Sequence, residues 1–227
     1  MCGHSATPGT EAVRPETTTS FAQSELRAYV PSATICVAAF DLVTSALPLS
    51  IVHHCLRVYL FAKWLAEKEA KEWVDSELLF VACICHDLGA SHRYNGSQRF
   101  EVEGADAAAQ LLRGYGRPES EAHEVWTAIA LHTSPGIAER IAPLARLVRM
   151  GVLFDFRPAT REALGAVAYA KTVEATLPRL EIEQVLGDAV VQQAVQNPQK
   201  APAASWPNNL FKSYLENPEW KGINRVF

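Results

Sequence analysis

Residues 78–89 read Leu-Leu-Phe-Val-Ala-Cys-Ile-Cys-His-Asp-Leu-Gly, an uncharged apolar run that ends in a His-Asp pair. The run is apolar on every side, so a helix formed by it would be buried all round. The Asp-Ser pair at 75–76 can cap its start, and Gly89 is typical of a helix C-terminus. Two ionisable residues at the end of a buried helix cost free energy unless something pairs with them. A divalent cation held by His86 and Asp87 explains them; the alternative is a capping aspartate beside a hydrogen-bonded core histidine.

Composition and charge indicate an ordinary globular protein. The 227 residues are 48% hydrophobic and 20% charged, and the net charge of −4 without a Lys/Arg run argues against a nucleic-acid or membrane surface. Residues 28–56 are nearly free of charge, but two prolines, an aspartate and two histidines argue against a membrane span. Five cysteines without a Cys-x-x-Cys motif indicate buried free thiols. We therefore expect a cytoplasmic protein with a small-molecule substrate and neither a nucleic-acid nor a membrane partner; a homo-oligomer is compatible with the sequence.

The chain divides by composition into three parts. Residues 1–22 have almost no apolar side chains and are expected to form a disordered leader. Residues 23–196 contain successive helical patterns, and residues 197–227 form a tail rich in proline and tryptophan that we expect to be extended and to pack on the domain. No run of alternating polarity is long enough to predict a strand, so the chain is expected to be all-α.

Two further histidines point inward on predicted helices. His54 lies in the helix that follows Pro48, and apolar residues recur four, seven and eleven positions after it. His132 comes seven positions after Val125 and three after Ile129 in its own helix, which then stops at Thr-Ser-Pro-Gly. A single histidine on an apolar helix face is more often a core residue bonded to a carbonyl than a metal ligand, so neither is decisive alone.

An aspartate ends the apolar stripe of a later helix. Asp155 lies at helical spacing after Ile141, Ala145, Val148 and Val152. A carboxylate directed into the core needs a partner. A salt bridge to Arg149 or Arg157 is one possibility, and a metal ion is the other.

These residues form the order His54, His86-Asp87, His132, Asp155, and short segments of sequence accompany them. They are His-His-Cys-Leu-Arg-Val at 53–58, His-Asp-Leu-Gly at 86–89, Arg-Phe-Glu-Val-Glu-Gly at 99–104, His-Thr-Ser-Pro-Gly at 132–136 and Leu-Phe-Asp at 153–155. Over about residues 48–156 the chain resembles the HD-domain superfamily of metal-dependent hydrolases. Within it, the chain looks most like the branch that contains fungal cyanamide hydratases.

The resemblance implies an all-α, single-domain HD-type helical bundle. It implies that one divalent metal ion is held by His54, His86, Asp87 and Asp155, with His54 rather than His53 as the first ligand. Zinc is the metal expected for this branch, and iron or manganese suit the same ligand types. His132 and Asp87 are the expected catalytic residues.

The expected activity is that of a metal-dependent hydratase or hydrolase that activates water for attack on a small, non-phosphorylated molecule such as cyanamide or a nitrile. His132 would pass a proton to the substrate nitrogen. The polar loop that follows the His-Asp pair is placed to form a pocket wall, with Tyr94, Arg99 and Phe100 as substrate-binding residues. Alternatively, Arg99 pairs with Glu101 or Glu103.

Another class of activity is an HD phosphohydrolase or phosphodiesterase that acts on a nucleotide or phosphate ester. Many such enzymes have lysine in a His-Asp-x-Gly-Lys segment, whereas this chain has alanine there and no lysine between Lys71 and Lys171. Arginines remain available for phosphate: Arg57, Arg93, Arg99 and Arg113. A third class, an HD domain that binds ligands with little catalysis, is favoured by the Trp-rich tail and disfavoured by the intact ligand set.

Overall fold

The computed structural model describes residues 25–69 and 75–218. The chain divides into two compact units, Met1–Val30 and Pro31–Phe227. The described part of the first unit contains a 3-10 turn at Arg27–Tyr29. The expected leader, residues 1–22, lies outside the described residues. The predicted helical domain started at residue 23, whereas the second unit starts at Pro31.

Eleven α-helices occur in the described part of the second unit. They are α1 (Thr34–Ala46), α2 (Leu49–Lys68), α3 (Ser76–Cys85), α4 (Phe100–Gly114), α5 (Glu119–Ala130), α6 (Ala138–Ile141), α7 (Pro143–Phe156), α8 (Pro158–Ala163), α9 (Val167–Thr176), α10 (Ile182–Gln196) and α11 (Trp206–Glu216). No strand occurs among the described residues, so the prediction of an all-α fold is confirmed. None of these helices combines the length and apolar character that a membrane span requires.

Helix α3 is the centre of the second unit. It contacts α1, α2, α4, α5 and α7, and all of its residues from Leu78 to Cys85 are buried, as the apolar run predicted. The Asp75 carboxylate caps its start by accepting from the backbone N–H groups of Glu77 and Leu78. The helix ends at Cys85, so His86 and Asp87 lie in the turn that follows it.

Two glycines allow the close approaches that position this turn and its neighbours. A Cβ on Gly151 of α7 would lie 2.6 Å from the Val58 carbonyl oxygen of α2, so only glycine lets the two helices cross at this distance. Gly89 was expected to end the His-Asp helix. Instead it lies in the 3-10 turn Leu88–Ala90, where a Cβ would lie 2.0 Å from the Phe100 carbonyl oxygen. The turn after α3 is therefore pressed against the start of α4.

The C-terminal segment packs on the loop that follows the His-Asp pair. The Gln193 side-chain amide of α10 donates to the Gly89 carbonyl. The buried Lys200 ammonium donates to the Asn95 side chain and to the Gly96 carbonyl. The tail was expected to be extended, but it forms a 3-10 turn at Pro198–Lys200 and then helix α11, which Ser205 caps. Residues 219–227 lie outside the described residues.

Candidate metal centre

Three buried side chains converge where α2 passes the end of α3. The Nε2 atoms of His54 and His86 lie 3.1 Å apart. The Asp87 Oδ2 atom lies 3.4 Å from His54 Nε2 and 3.3 Å from His86 Nε2. We call His54, His86 and Asp87 the metal cluster, because each offers one ligand atom and these atoms all lie within 4.8 Å of one another.

The second nitrogen of each histidine fixes the direction of its ring. His86 Nδ1 lies 2.7 Å from the Cys83 carbonyl oxygen, and His54 Nδ1 lies 2.7 Å from Asp155 Oδ2. Since both of those oxygens are acceptors, both Nδ1 atoms donate, and the Nε2 atoms face the cluster. Metal-ligating histidines are usually oriented in this way by a carbonyl or carboxylate behind the ring.

The charge distribution of the cluster fits a cation. Asp87 Oδ2 is buried and has no hydrogen-bond partner among the described residues. Burial raises the pKa of Asp87, but His86 and His132 hold that pKa well below its usual range, so Asp87 is a carboxylate. Burial lowers the pKa of His86, but Asp87 outweighs this and raises it well above the usual value. Positive charge is thus stabilised between three converging donor atoms, and two imidazoles with one carboxylate are typical ligands of zinc and similar ions.

Asp155, the fourth expected ligand, lies behind His54 rather than in the metal cluster. The Arg57 guanidinium donates to both of its carboxylate oxygens, each at 2.7 Å. Arg179 donates to Oδ1 at 3.1 Å, and Arg161 donates to the Asp155 backbone carbonyl. We call these three arginines the arginine clamp. Burial raises the pKa of Asp155, but Arg57 and His54 hold it well below its usual range.

The surroundings of Asp155 differ from what the sequence suggested. Its carboxylate accepts from His54 Nδ1 and does not converge with the ligand atoms of the metal cluster, so its part as a fourth ligand stays a prediction. Its salt-bridge partners are Arg57 and Arg179, whereas the sequence suggested Arg149 or Arg157. Arg57 follows His54 by one turn of α2, and this spacing is visible in the sequence. The sequence does not show that Asp155 is the partner of Arg57.

His132 lies beside the metal cluster. Its Nδ1 donates to the Ile129 carbonyl at 2.7 Å, and its Nε2 lies 3.5 Å from Asp87 Oδ1. Its ring packs edge-on against the His86 ring, with centroids 4.9 Å apart. The inward position expected from the helical spacing is thus the one observed, and the Nε2 atom lies beside the Asp87 carboxylate of the metal cluster.

A cavity of about 410 Å³ opens from the metal cluster. Of the three expected substrate-binding residues, only Arg99 lines it, and Arg99 is paired with the buried Glu101 and with Thr133. Phe100 is buried beneath His132, and Tyr94 is half-buried with Arg93 over its ring. Neither lines this cavity. Those two expectations are therefore not met by the geometry of the loop.

Several wall residues were not identified from the sequence. Arg149 and Arg157 face the cavity, as do Leu186, residues 204–206 and Asn209. The C-terminal residues carry no local signal of this role, because only the docking of α11 brings them to the site.

Comparison with known families agrees with this geometry. Residues 51–152 match the family model of the HD domain. No curated protein matches the chain. The match covers the segment that contributes the whole metal cluster and His132, and together with the helical architecture it confirms the predicted HD-type fold. An HD domain indicates a family of metal-dependent hydrolases.

Proposed function

We propose that the HD domain of this chain binds one divalent metal ion through His54, His86 and Asp87, and that the protein is a hydratase or hydrolase of a small, non-phosphorylated molecule. The observation that carries the proposal is the buried Asp87 Oδ2 atom, which has no partner among the described residues yet faces two imidazole nitrogens at 3.3 and 3.4 Å. An unpartnered buried carboxylate oxygen is costly, and a metal ion offsets that cost.

Zinc is the proposed metal, with iron or manganese as alternatives that the ligand types also suit. A cation bound there supplies Lewis acidity, which makes water acidic enough to act as a nucleophile near neutral pH. The residues of the chain orient the ligand atoms. Asp155 and Cys83 hold the His54 and His86 rings in place, so the ligand atoms are preorganised before the metal binds.

His132 is the proposed proton donor. Its Nδ1 is held by the Ile129 carbonyl, so the ring presents Nε2 beside Asp87 Oδ1. When water adds to the electrophilic carbon of a nitrile-like substrate, the substrate nitrogen needs a proton, and His132 Nε2 is placed to deliver it. Asp87 then has two roles: Oδ2 faces the proposed metal position, and Oδ1 lies 3.5 Å from His132 Nε2.

Hydrolysis of a phosphate ester is the second candidate, because three arginines line the cavity: Arg99, Arg149 and Arg157. Phosphoryl transfer requires cations around the phosphate. Two of these arginines already have carboxylate partners, since Arg99 pairs with Glu101 and Arg149 with Glu139. Their charge is therefore largely neutralised, which favours the non-phosphorylated substrate.

The test combines metal content with a substrate panel. Purified protein is expected to contain about one metal ion per chain and to act on cyanamide, small nitriles or isocyanides in preference to nucleoside monophosphates. His132→Ala should keep the metal and lose turnover by about 10²–10⁴-fold. His123→Ala is the matched control, because His123 is exposed and stacks on Trp126 away from the cavity.

Three outcomes would contradict the proposal. A protein without bound metal after zinc loading and dialysis would remove the metal function. Retained metal with a near-normal rate in His132→Ala would remove the proton-donor role. Turnover confined to the nucleotides would favour the phosphohydrolase.

A further inference from the structure

The cavity beside the metal cluster is larger than a molecule such as cyanamide requires. Its volume of about 410 Å³ falls in the range of about 300–1,000 Å³ that is typical of sites for metabolite-sized ligands. The metal cluster and His132 form only part of its wall. The remaining wall must therefore contact parts of the substrate that do not react.

Part of that wall is apolar. Val152, Leu153 and Phe156 contribute from α7, Leu186 from α10 and Trp206 from the start of α11. Trp206 is half-buried, and its ring lies 5.8 Å from the Phe100 ring, which in turn packs against His132. An apolar or aromatic group in the cavity would bury surface against these side chains, and such burial is favourable.

The charged part of the wall has more cations than carboxylates. It contains three arginines, while Asp87 is its only carboxylate among the described residues. Arg99 is neutralised by Glu101. Arg149 donates through Nε to Glu139 and through Nη1 to the His132 carbonyl, and no bond of its Nη2 is found among the described residues.

Arg157 is the arginine whose charge is not balanced. It lies in the link between α7 and α8, on the cavity wall, and its side chain makes no ion pair or hydrogen bond among the described residues. The charge of Arg157 acts on Arg149. Burial chiefly lowers the pKa of Arg149, Glu139 opposes this, and the charge of Arg157 lowers that pKa further. Glu139 pairs with Arg149, and no carboxylate among the described residues pairs with Arg157.

We propose that the substrate is an organic anion whose carboxylate group binds Arg157 beside Arg149, while its apolar body lies against Trp206 and Phe156. An oxyanion there balances the second guanidinium, and charge-assisted hydrogen bonds from arginine are among the stronger polar contacts. The reacting group of the same molecule lies at the metal cluster, and this part of the inference rests on the proposed function. The anion is an anchor and is not the group that reacts.

The test uses three ring compounds of similar shape as probes: benzoate, phenyl phosphate and neutral benzamide. Their binding to the zinc-loaded full-length protein is followed by tryptophan fluorescence, since Trp206 lines the cavity. Benzoate is expected to bind at least about 10-fold more tightly than benzamide. Tighter binding of phenyl phosphate than of benzoate would contradict the carboxylate anchor.

Three variants assign the preference to Arg157. Arg157→Gln should reduce the preference for the anion to about twofold or less, and Arg157→Lys should retain part of it because the charge remains. Arg113→Gln is the matched control, because Arg113 is an exposed arginine of α4 that does not line the cavity. It should leave all three affinities unchanged. Arg157 is exposed, so its replacement should not disturb folding.

Equal binding of benzoate and benzamide to the wild-type protein would overturn the inference, and so would an anion preference that survives in Arg157→Gln. Release of inorganic phosphate from phenyl phosphate would also overturn it, since the phosphate would then be the reacting group. Failure of the proposed function is seen separately in the metal content. A chain that binds no metal but still prefers benzoate through Arg157 would keep the anion site and lose the metal function.

Discussion

Asp87 and Asp155 are both about 1% exposed, and both approach the ring of His54, yet their surroundings are opposite. Asp155 Oδ2 accepts from His54 Nδ1 at 2.7 Å, and both of its oxygens accept from Arg57. Asp87 Oδ2 lies 3.4 Å from His54 Nε2 and has no hydrogen-bond partner among the described residues. His54 thus lies between one carboxylate that arginines of the protein neutralise and another that has an oxygen without a hydrogen-bond partner among the described residues.

The difference separates a positioning role from a binding role. The arginine clamp fills the hydrogen-bonding capacity of Asp155, so this carboxylate can hold His54 rigidly but has little capacity left for a metal ion. In the metal cluster, Asp87 Oδ2 is left without a hydrogen-bond partner among the described residues, and an unsatisfied buried oxygen costs free energy. Buried carboxylates with similar exposure can therefore serve different purposes, and the hydrogen-bond partners distinguish them.

The largest effect on stability is expected when the satisfied carboxylate is removed. Asp155→Ala leaves the fully buried Arg57 without its main partner, and such a change typically costs about 3–5 kcal/mol. Urea unfolding in EDTA measures this cost without any contribution from bound metal. Asp188→Ala, at an exposed position of α10, is the control and should change stability by about 0.5 kcal/mol or less. A loss below 1 kcal/mol in Asp155→Ala together with loss of metal would instead make Asp155 a ligand.

Replacement of the unsatisfied carboxylate should affect metal binding more than stability. Asp87→Asn keeps the shape of the side chain but removes its charge, so zinc content after loading and dialysis should fall from about one ion per chain to nearly none. The metal-free variant should lose less stability than Asp155→Ala, because no protein donor to Oδ2 is lost and only the interaction of the Asp87 charge with His86 and His132 is removed. Zinc that stabilises the wild type against thermal unfolding should not stabilise the variant. Undiminished zinc binding by Asp87→Asn would refute the assignment of the metal cluster.

A smaller effect is expected at the outer edge of the arginine clamp. Arg179 is partly exposed and contacts Asp155 with one nitrogen while also pairing with Glu174 and Glu183. Arg179→Gln should therefore cost about 1 kcal/mol in urea unfolding, close to the range for exposed ion pairs. Arg57→Gln is the comparison, and it should cost several times more because Arg57 is fully buried and binds both oxygens. Equal costs would show that the clamp holds Asp155 collectively rather than through Arg57.

Much of the site was predictable because helical periodicity is a local property of the sequence. The apolar run before His86 predicted a buried central helix, and the stripe through His54 placed that residue, rather than His53, toward the cluster. His53 Nδ1 instead donates to the Pro178 carbonyl oxygen, at 3.0 Å. The spacing of His132 likewise predicted an inward ring. Of the stripe that leads to Asp155, only Ile141 is exposed, since it belongs to the short helix α6 before α7 begins.

The sequence by itself determined the all-α architecture, the order of the ionisable residues and the helix faces that carry them. The physical reason is that each of these depends on side chains a few residues apart. Only the tertiary structure decided which of those residues meet. Arg57 and Arg179 reach Asp155 from 98 and 24 positions away, and the wall that contains Trp206 forms only when α11 docks. Such contacts depend on helix crossings, including the one that Gly151 allows, and no local pattern specifies them.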